Sequence, residues 1–190
     1  MSMIFLTLID WVTIYRDIQQ NMGRSGAFKK ILEIIKVKTM IDVGCGPGGM
    51  VKYCKSIGLK AYGIDGDDSI AREIDDDFYL HDYTKGPFST KLNFDLCWCV
   101  EFLEHVEEKY INNYFDTFRK CRYVFCTFAP SGKRGYHHVN TQDQEYWIKI
   151  FNKFDFTFEE KKSNFIRQSS TIEKNFVRDY GLLFKNNHKI

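Results

Sequence analysis

Proline is nearly missing, at 3 in 190 residues, and no stretch is repeated or low in complexity. Linkers and repeat architectures are thereby excluded, and the length leaves room for one globular domain and not two. Charge of one sign is also lacking. The 27 Lys and Arg face 25 Asp and Glu, a formal net charge of +2, which is no footprint for a polyanionic partner. None of the 6 cysteines forms a Cys-x-x-Cys pair, and Cys97, Cys99, Cys121 and Cys126 lie in apolar runs where Cys acts as a small hydrophobe. A reduced, cytoplasmic protein is therefore expected. The apolar opening, Met1 to Ile9, lacks a basic leader and a cleavage-site pattern, and Asp10 and Arg16 interrupt it well short of the ~20 residues of a membrane span. It is expected to be neither signal peptide nor anchor but a short element docked on the body.

What is present is core material: 44% of residues are apolar and 16% aromatic. A chain of this length buries roughly 70% of its extended surface on folding, enough for a core without disulfide or metal staples. Tyr15 to Lys36 reads as two helices broken at Gly23 to Gly26. Lys38 to Val43 is a β-branched strand that runs into GCGPGG and then a helix from Met50 to Ser56. Leu59 to Asp65 and Asp77 to Asp82 read as further strands. Phe94 to Val100, almost wholly apolar, suits a strand buried on both faces at the sheet centre. A helix is predicted over Glu107 to Lys120, a strand over Tyr123 to Ala129, and a helix over Thr141 to Phe151. Phe154 to Glu160 and Gly181 to Lys185 read as a terminal antiparallel pair separated by an irregular polar stretch. Strands alternating with helices predict a doubly wound α/β sheet.

The glycines after the first strand form a backbone cradle, because glycine turns sharply and lets a ligand approach with no Cβ in the way. By spacing alone, Gly44-x-Gly46-x-x-Gly49 also fits a dinucleotide fingerprint. Asp42 at the strand end would oppose a pyrophosphate but favour a cationic group. Pro47 removes an amide donor that a phosphate would use.

In order along the chain, IDVGCGPGG, GIDGD, HDYTKGP and DLCWCVEFLEHVEE resemble the motif series of class I S-adenosylmethionine methyltransferases, over roughly residues 38 to 130. The resemblance implies a Rossmann-like seven-stranded sheet with the last strand antiparallel, helices on both faces, and S-adenosylmethionine lying over Gly44 and Gly46, with Asp42 and Val100 lining its site. Asp65 would take both ribose hydroxyls. Asp82, with Tyr83 beside it, would take the adenine amino group. Without the resemblance, Asp65 is a turn carboxylate and Asp82 a cap after its strand. The whole chain, 1–190, would be one methyltransferase domain: a helical cap over 1–37, the cofactor core over 38–130, and a lid loop with substrate-side elements over 131–190. Tyr15, Arg16 and Gln19 would cover the methionine end.

Glu101, Glu104 and His105 follow the central strand at helical spacing, which gathers two carboxylates and an imidazole on one face. The loop SGKRGYHHVN after the fifth strand adds His137 and His138, of which His138 is favoured. Mixed oxygen and nitrogen donors suit Mg, Mn or another divalent ion. Glu-x-x-Glu-His with a later His resembles the metal site of small-RNA 3′-terminal 2′-O-methyltransferases, and EFLEHV is similar to a segment of ubiquinone-biosynthesis O-methyltransferases. Both kinds of acceptor carry neighbouring hydroxyls. His105 or His138 acting as a base, with Glu101, and a purely structural pair are the competing readings. The expected activity is metal-assisted O-methylation of a small molecule or glycan with adjacent hydroxyls. A 3′-terminal RNA 2′-O-methyltransferase, disfavoured by the missing basic excess, and a non-catalytic cofactor-binding module are the alternatives.

Overall fold

The computed structural model describes residues 26–72, 77–172 and 174–188, so the docked opening segment and the helix expected from Tyr15 lie outside the described residues. Seven strands form one sheet: β1 (Thr39–Val43), β2 (Lys60–Asp65), β3 (Phe78–Leu80), β4 (Phe94–Cys99), β5 (Cys121–Cys126), β6 (Phe156–Phe158) and β7 (Leu182–Asn186). Their order is β3-β2-β1-β4-β5-β7-β6. The first five pair in parallel, while β7 runs antiparallel to both β5 and β6. This is the expected Rossmann-like doubly wound sheet.

Alternation along the strands divides the core in two. Ile41, Val43, Cys97, Cys99, Val124, Cys126 and Phe184 face one side, where α3 (Ile111–Phe118) and α4 (Gln144–Lys153) pack. Met40, Leu96, Trp98, Val100, Phe125 and Leu183 face the other, against α1 (Gly26–Ile34), α2 (Gly49–Ser56), α5 (Glu160–Gln168) and α6 (Phe176–Tyr180). A strand covered on both faces is apolar wherever it is enclosed, which is why FDLCWC is apolar apart from the half-buried Asp95 near its start. All 6 cysteines are buried and unpaired, as small hydrophobes should be.

Several boundaries differ from the sequence reading. The strand predicted to continue to Ala129 ends at Cys126. Just past it the Thr127 N–H donates to the Cys99 carbonyl at 3.2 Å and its hydroxyl accepts the Glu101 N–H at 2.8 Å. The helix predicted from Glu107 opens as a 3-10 turn, Glu108–Tyr110, and becomes α-helical at Ile111. His81 falls just past β3, where Nε2 lies 3.0 Å from the Gly86 carbonyl. The stretch predicted to be irregular contains α5 and α6. Its pattern is hard to see because α5 buries only Ser163 and Ile166. The Ser163 hydroxyl accepts the Leu183 N–H and donates to the Glu159 carbonyl, at 2.8 and 2.9 Å, so a polar side chain stands at a core position. No helix among the described residues is long and apolar enough to cross a membrane.

Trp98 and Phe125 stack at 4.9 Å between ring centroids and hold β4 to β5, with Phe28 of α1 edge-on at 5.4 Å. Trp98→Ala should destabilise the fold by about 3–5 kcal/mol, read as a lowered urea midpoint with an unchanged slope.

Candidate functional site

The sheet order reverses direction at β1, and in open α/β sheets ligands bind at the carboxyl ends of strands beside such a point. The glycine turn lies there. Gly44, Gly46 and Gly48 have φ of 77°, 50° and 85°, a left-handed run that residues with a Cβ adopt only at a cost. The Gly44 and Cys45 N–H groups donate to the Ile64 carbonyl at 2.9 and 3.2 Å, and the Gly46 N–H donates to Asp65 Oδ2 at 2.8 Å. The turn is thus folded down onto the end of β2. Asp65 Oδ1 accepts the Asp67 N–H at 2.9 Å. A Cβ on Gly44 would stand 2.8 Å from the Phe102 ring, so a residue following β4 also demands glycine there.

Asp42 is enclosed beneath the turn at 1% exposure, with Oδ2 lacking a partner. Burial and the nearby charge of Asp65 push its carboxyl well above the usual range. Val100 closes the end of β4 and is also buried. Asp82 Oδ1 accepts both the amide and the hydroxyl of Thr84, at 2.8 and 2.7 Å, so the carboxylate does cap the turn after β3. Burial opposes its ionisation, but those bonds and Lys85 outweigh burial and hold it below the usual range. Tyr83 departs from expectation. Its ring is buried, its hydroxyl meets Thr117 Oγ1 at 2.8 Å and its carbonyl accepts from Asn113, so the side chain serves the core and not a ligand face.

The ionisable cluster sits where the loops after β4 and β5 meet. Ligand atoms of Glu104, His105 and His138 lie within 4.8 Å of one another. The loops are joined through one carbonyl: Glu104 O accepts the N–H groups of Val139 and Asn140 at 2.9 and 3.1 Å, while Asn140 Nδ2 donates to Val106 O. His105 Nδ1 lies 3.2 Å from the His137 carbonyl, and His138 Nδ1 3.1 Å from the Lys133 carbonyl. A carbonyl only accepts, so each Nδ1 carries a proton, and the neutral form of either ring has its lone pair on Nε2. Burial and the neighbouring His138 push the His105 imidazole down to about 4. His137 itself is exposed, and its φ of 50° turns its carbonyl toward His105.

Glu101 does not share a helical turn with Glu104 and His105. The 3-10 turn spans Leu103–His105, and Glu101 precedes it in a left-handed conformation at φ 56°. Its Oε1 is drawn to Thr127 Oγ1 at 3.4 Å, which leaves it beside the three converging groups and outside their set. Burial and the Glu101 charge raise the Glu104 carboxyl well above its usual range, and Glu104 Oε2 has no partner.

Glu101, Glu104 and His138 line a cavity of about 290 Å³ together with Phe128, Phe176 and Tyr180. Lys133 and Lys174 stand at its edge, and Lys133 Nζ is 6.0 Å from the Tyr180 ring centroid. The wall from Lys174 to Tyr180 was not legible as part of a site. The spacing of Phe176, Val177 and Tyr180 is the one helical signal there. Trp147 is fully buried in the core.

Residues 41–124 match the family model of a methyltransferase domain. Among curated proteins no sequence match is found. Magnesium protoporphyrin IX methyltransferase from Synechocystis, with SAH bound, superposes at a TM-score of 0.61 and 14% identity, covering 98% of this chain and 90% of that one. The plantazolicin methyltransferase BpumL gives 0.58 at 15% identity, over 91% of this chain and 87% of that one. Human N-acetylserotonin methyltransferase gives 0.56 at 15% identity, over 95% of this chain and 56% of that one. The chain thus has a methyltransferase-domain match over residues 41–124 and shares its fold with methyltransferases solved with S-adenosylmethionine or S-adenosylhomocysteine bound.

The cradle, the orphaned oxygen of Asp42 and the carboxylate of Asp65 fit such a cofactor. Gly44→Ala should therefore lower stability by about 1–2 kcal/mol through its positive φ and abolish detectable binding of S-adenosylhomocysteine, as measured by denaturation and calorimetry.

Proposed function

We propose that the chain methylates an oxygen of a small ring-bearing molecule or glycan with adjacent hydroxyls, assisted by a divalent ion such as Mg or Mn. The observation that carries this reading is the convergence of Glu104, His105 and His138 within 4.8 Å, with Glu104 and His138 lining the cavity. In this reading the chain works as one domain, with residues 38–130 holding the cofactor and 131–190 supplying the acceptor side.

When bound, S-adenosylmethionine supplies an electrophilic methyl group and the ion a Lewis acid that lowers the pKa of a hydroxyl. Glu104, His105 and His138 would hold the ion, with Glu101 against Glu104. The donor set fits: both imidazoles are oriented by backbone carbonyls, the arrangement that usually fixes a metal-binding tautomer, and Glu104 Oε2 is unpartnered. His105, pushed down to about 4, is neutral near pH 7 and is too weak a base to take a hydroxyl proton unaided. Phe128, Phe176 and Tyr180 line the cavity with aromatic surface for a ring, in the same cavity as the Glu101 and Glu104 carboxylates that would orient its hydroxyls. Neighbouring hydroxyls suit a cluster that presents several donors at one point. A cavity of about 290 Å³ also lies at the small end of ligand pockets, which run from ~300 to ~1,000 Å³.

Mn²⁺ titrated into chelator-stripped protein holding S-adenosylhomocysteine should bind near one equivalent, with binding lost in His105→Ala. Labelled methyl transfer to a panel of catechols and sugars should fall to background on chelation. Turnover that survives chelation removes the metal from the reading, and transfer confined to RNA with a free 3′-terminal ribose moves the acceptor to nucleic acid.

Gly135 gives a separate check, since a Cβ there would lie 2.2 Å from His138 Nε2. Gly135→Ala should weaken Mn²⁺ binding about 10-fold or more by displacing that ring, with no ligand replaced.

A further inference from the structure

Arg72 belongs to neither the ionisable cluster nor the cavity, yet its side chain is only 7% exposed. A guanidinium is buried at a cost unless its N–H groups are satisfied, so the acceptors around it show what it holds together. Nε donates to the Gly46 carbonyl at 2.9 Å, Nη1 to the Ile70 carbonyl at 3.1 Å, and Nη2 to the Asp67 carbonyl. The same Nη2 lies 3.2 Å from Asp65 Oδ1, and the guanidinium carbon sits 4.2 Å from the centroid of the Phe78 ring in β3. One planar group therefore touches the glycine turn, the carboxylate at the end of β2, the loop after it and the neighbouring strand.

Gly46 and Asp65 are already linked once, by the Gly46 N–H. Arg72 adds the reciprocal link through the Gly46 carbonyl, so both polar groups of that peptide neighbourhood are tied toward Asp65. A lysine could satisfy one of these acceptors but not the fork of them, because its three donors radiate from a single nitrogen.

We propose that Arg72 is a positioning residue for the cofactor ribose, clamping the glycine turn to the end of β2 so that Asp65 is presented to the ribose hydroxyls. This rests on the reading in which Asp65 takes those hydroxyls. Arg72 does not touch the reacting atoms; it acts through Asp65 and Gly46.

The test is a thermodynamic cycle between residue and ligand, read by calorimetry in the absence of turnover. Wild type, Arg72→Lys and Arg72→Gln are titrated with S-adenosylhomocysteine and with an analogue lacking both ribose hydroxyls. Arg72→Gln should weaken S-adenosylhomocysteine about 10-fold, the scale of one hydrogen bond to a charged group, and weaken the analogue far less. Arg72→Lys should fall between the two, and it keeps the cycle readable if Arg72→Gln does not fold. In the ligand-free chain, the Gly46 amide should exchange faster in Arg72→Gln while the melting temperature of the whole domain moves little.

Equal weakening of both ligands would make Arg72 a general brace for the loop and overturn the proposal, as would no weakening of either. If wild type binds S-adenosylhomocysteine and its analogue alike, the assignment of Asp65 to the ribose fails and the clamp fails with it. If wild type binds neither, the cofactor reading itself is wrong.

Discussion

The structure depends first on β4. It pairs in parallel with β1 on one side and β5 on the other, and all but one of its residues are buried. Its side chains alternate between the two halves of the core, Leu96 and Trp98 toward one and Cys97 and Cys99 toward the other. Because nothing polar intrudes on this strand after Asp95, its carboxyl end is a fixed point. Glu101, Glu104 and His105 are carried on that end, and Phe102 leans from it onto the glycine turn. The cofactor cradle and the ionisable cluster are therefore registered to each other through one rigid element.

Around that point, the chain spends free energy on arrangements that folding alone does not reward. Two carboxyl groups face each other in a mostly buried setting, a carboxylate oxygen of Asp42 has no partner, and Glu101 and His137 hold left-handed backbone conformations despite their side chains. Each such feature costs on the order of 1–3 kcal/mol. They gather at the carboxyl ends of β1, β4 and β5, while elsewhere in the core Ser163 and Asn186 are satisfied by backbone partners and the side-chain polar atoms of Trp98, Tyr114 and Trp147 are not.

The sheet and the cluster were legible to different degrees for physical reasons. Strands buried on both faces announce themselves as apolar runs, and a glycine turn that needs positive φ can hardly be written in other residues, so the central fold could be read from IDVGCGPGG and FDLCWCV. The pairing of His138 with Glu104 and His105 followed from adjacent parallel strands. What could not be read was side-chain commitment. Tyr83 sits next to Asp82 in sequence yet turns into the core, because its hydroxyl finds Thr117 there. Glu101 keeps helical spacing to Glu104 without a helical backbone. The wall of the cavity from Lys174 to Tyr180 comes from a short helix whose apolar pattern is too brief to rise above its polar surroundings. Arg72 was invisible for a different reason: its acceptors are mainly backbone carbonyls, which no side-chain motif records.

The two outermost strands, β3 and β6, are each three residues long. An open sheet otherwise ends in a row of unpaired amides and carbonyls, a template on which a second sheet can grow. Here the outermost strands are barely one pleat deep on either side, and each of the five longer strands has a neighbour on both sides over at least part of its length. Short margins disfavour edge-to-edge polymerisation, and mutations that lengthen β3 or β6 would favour fibril-like association even where the packing stays intact.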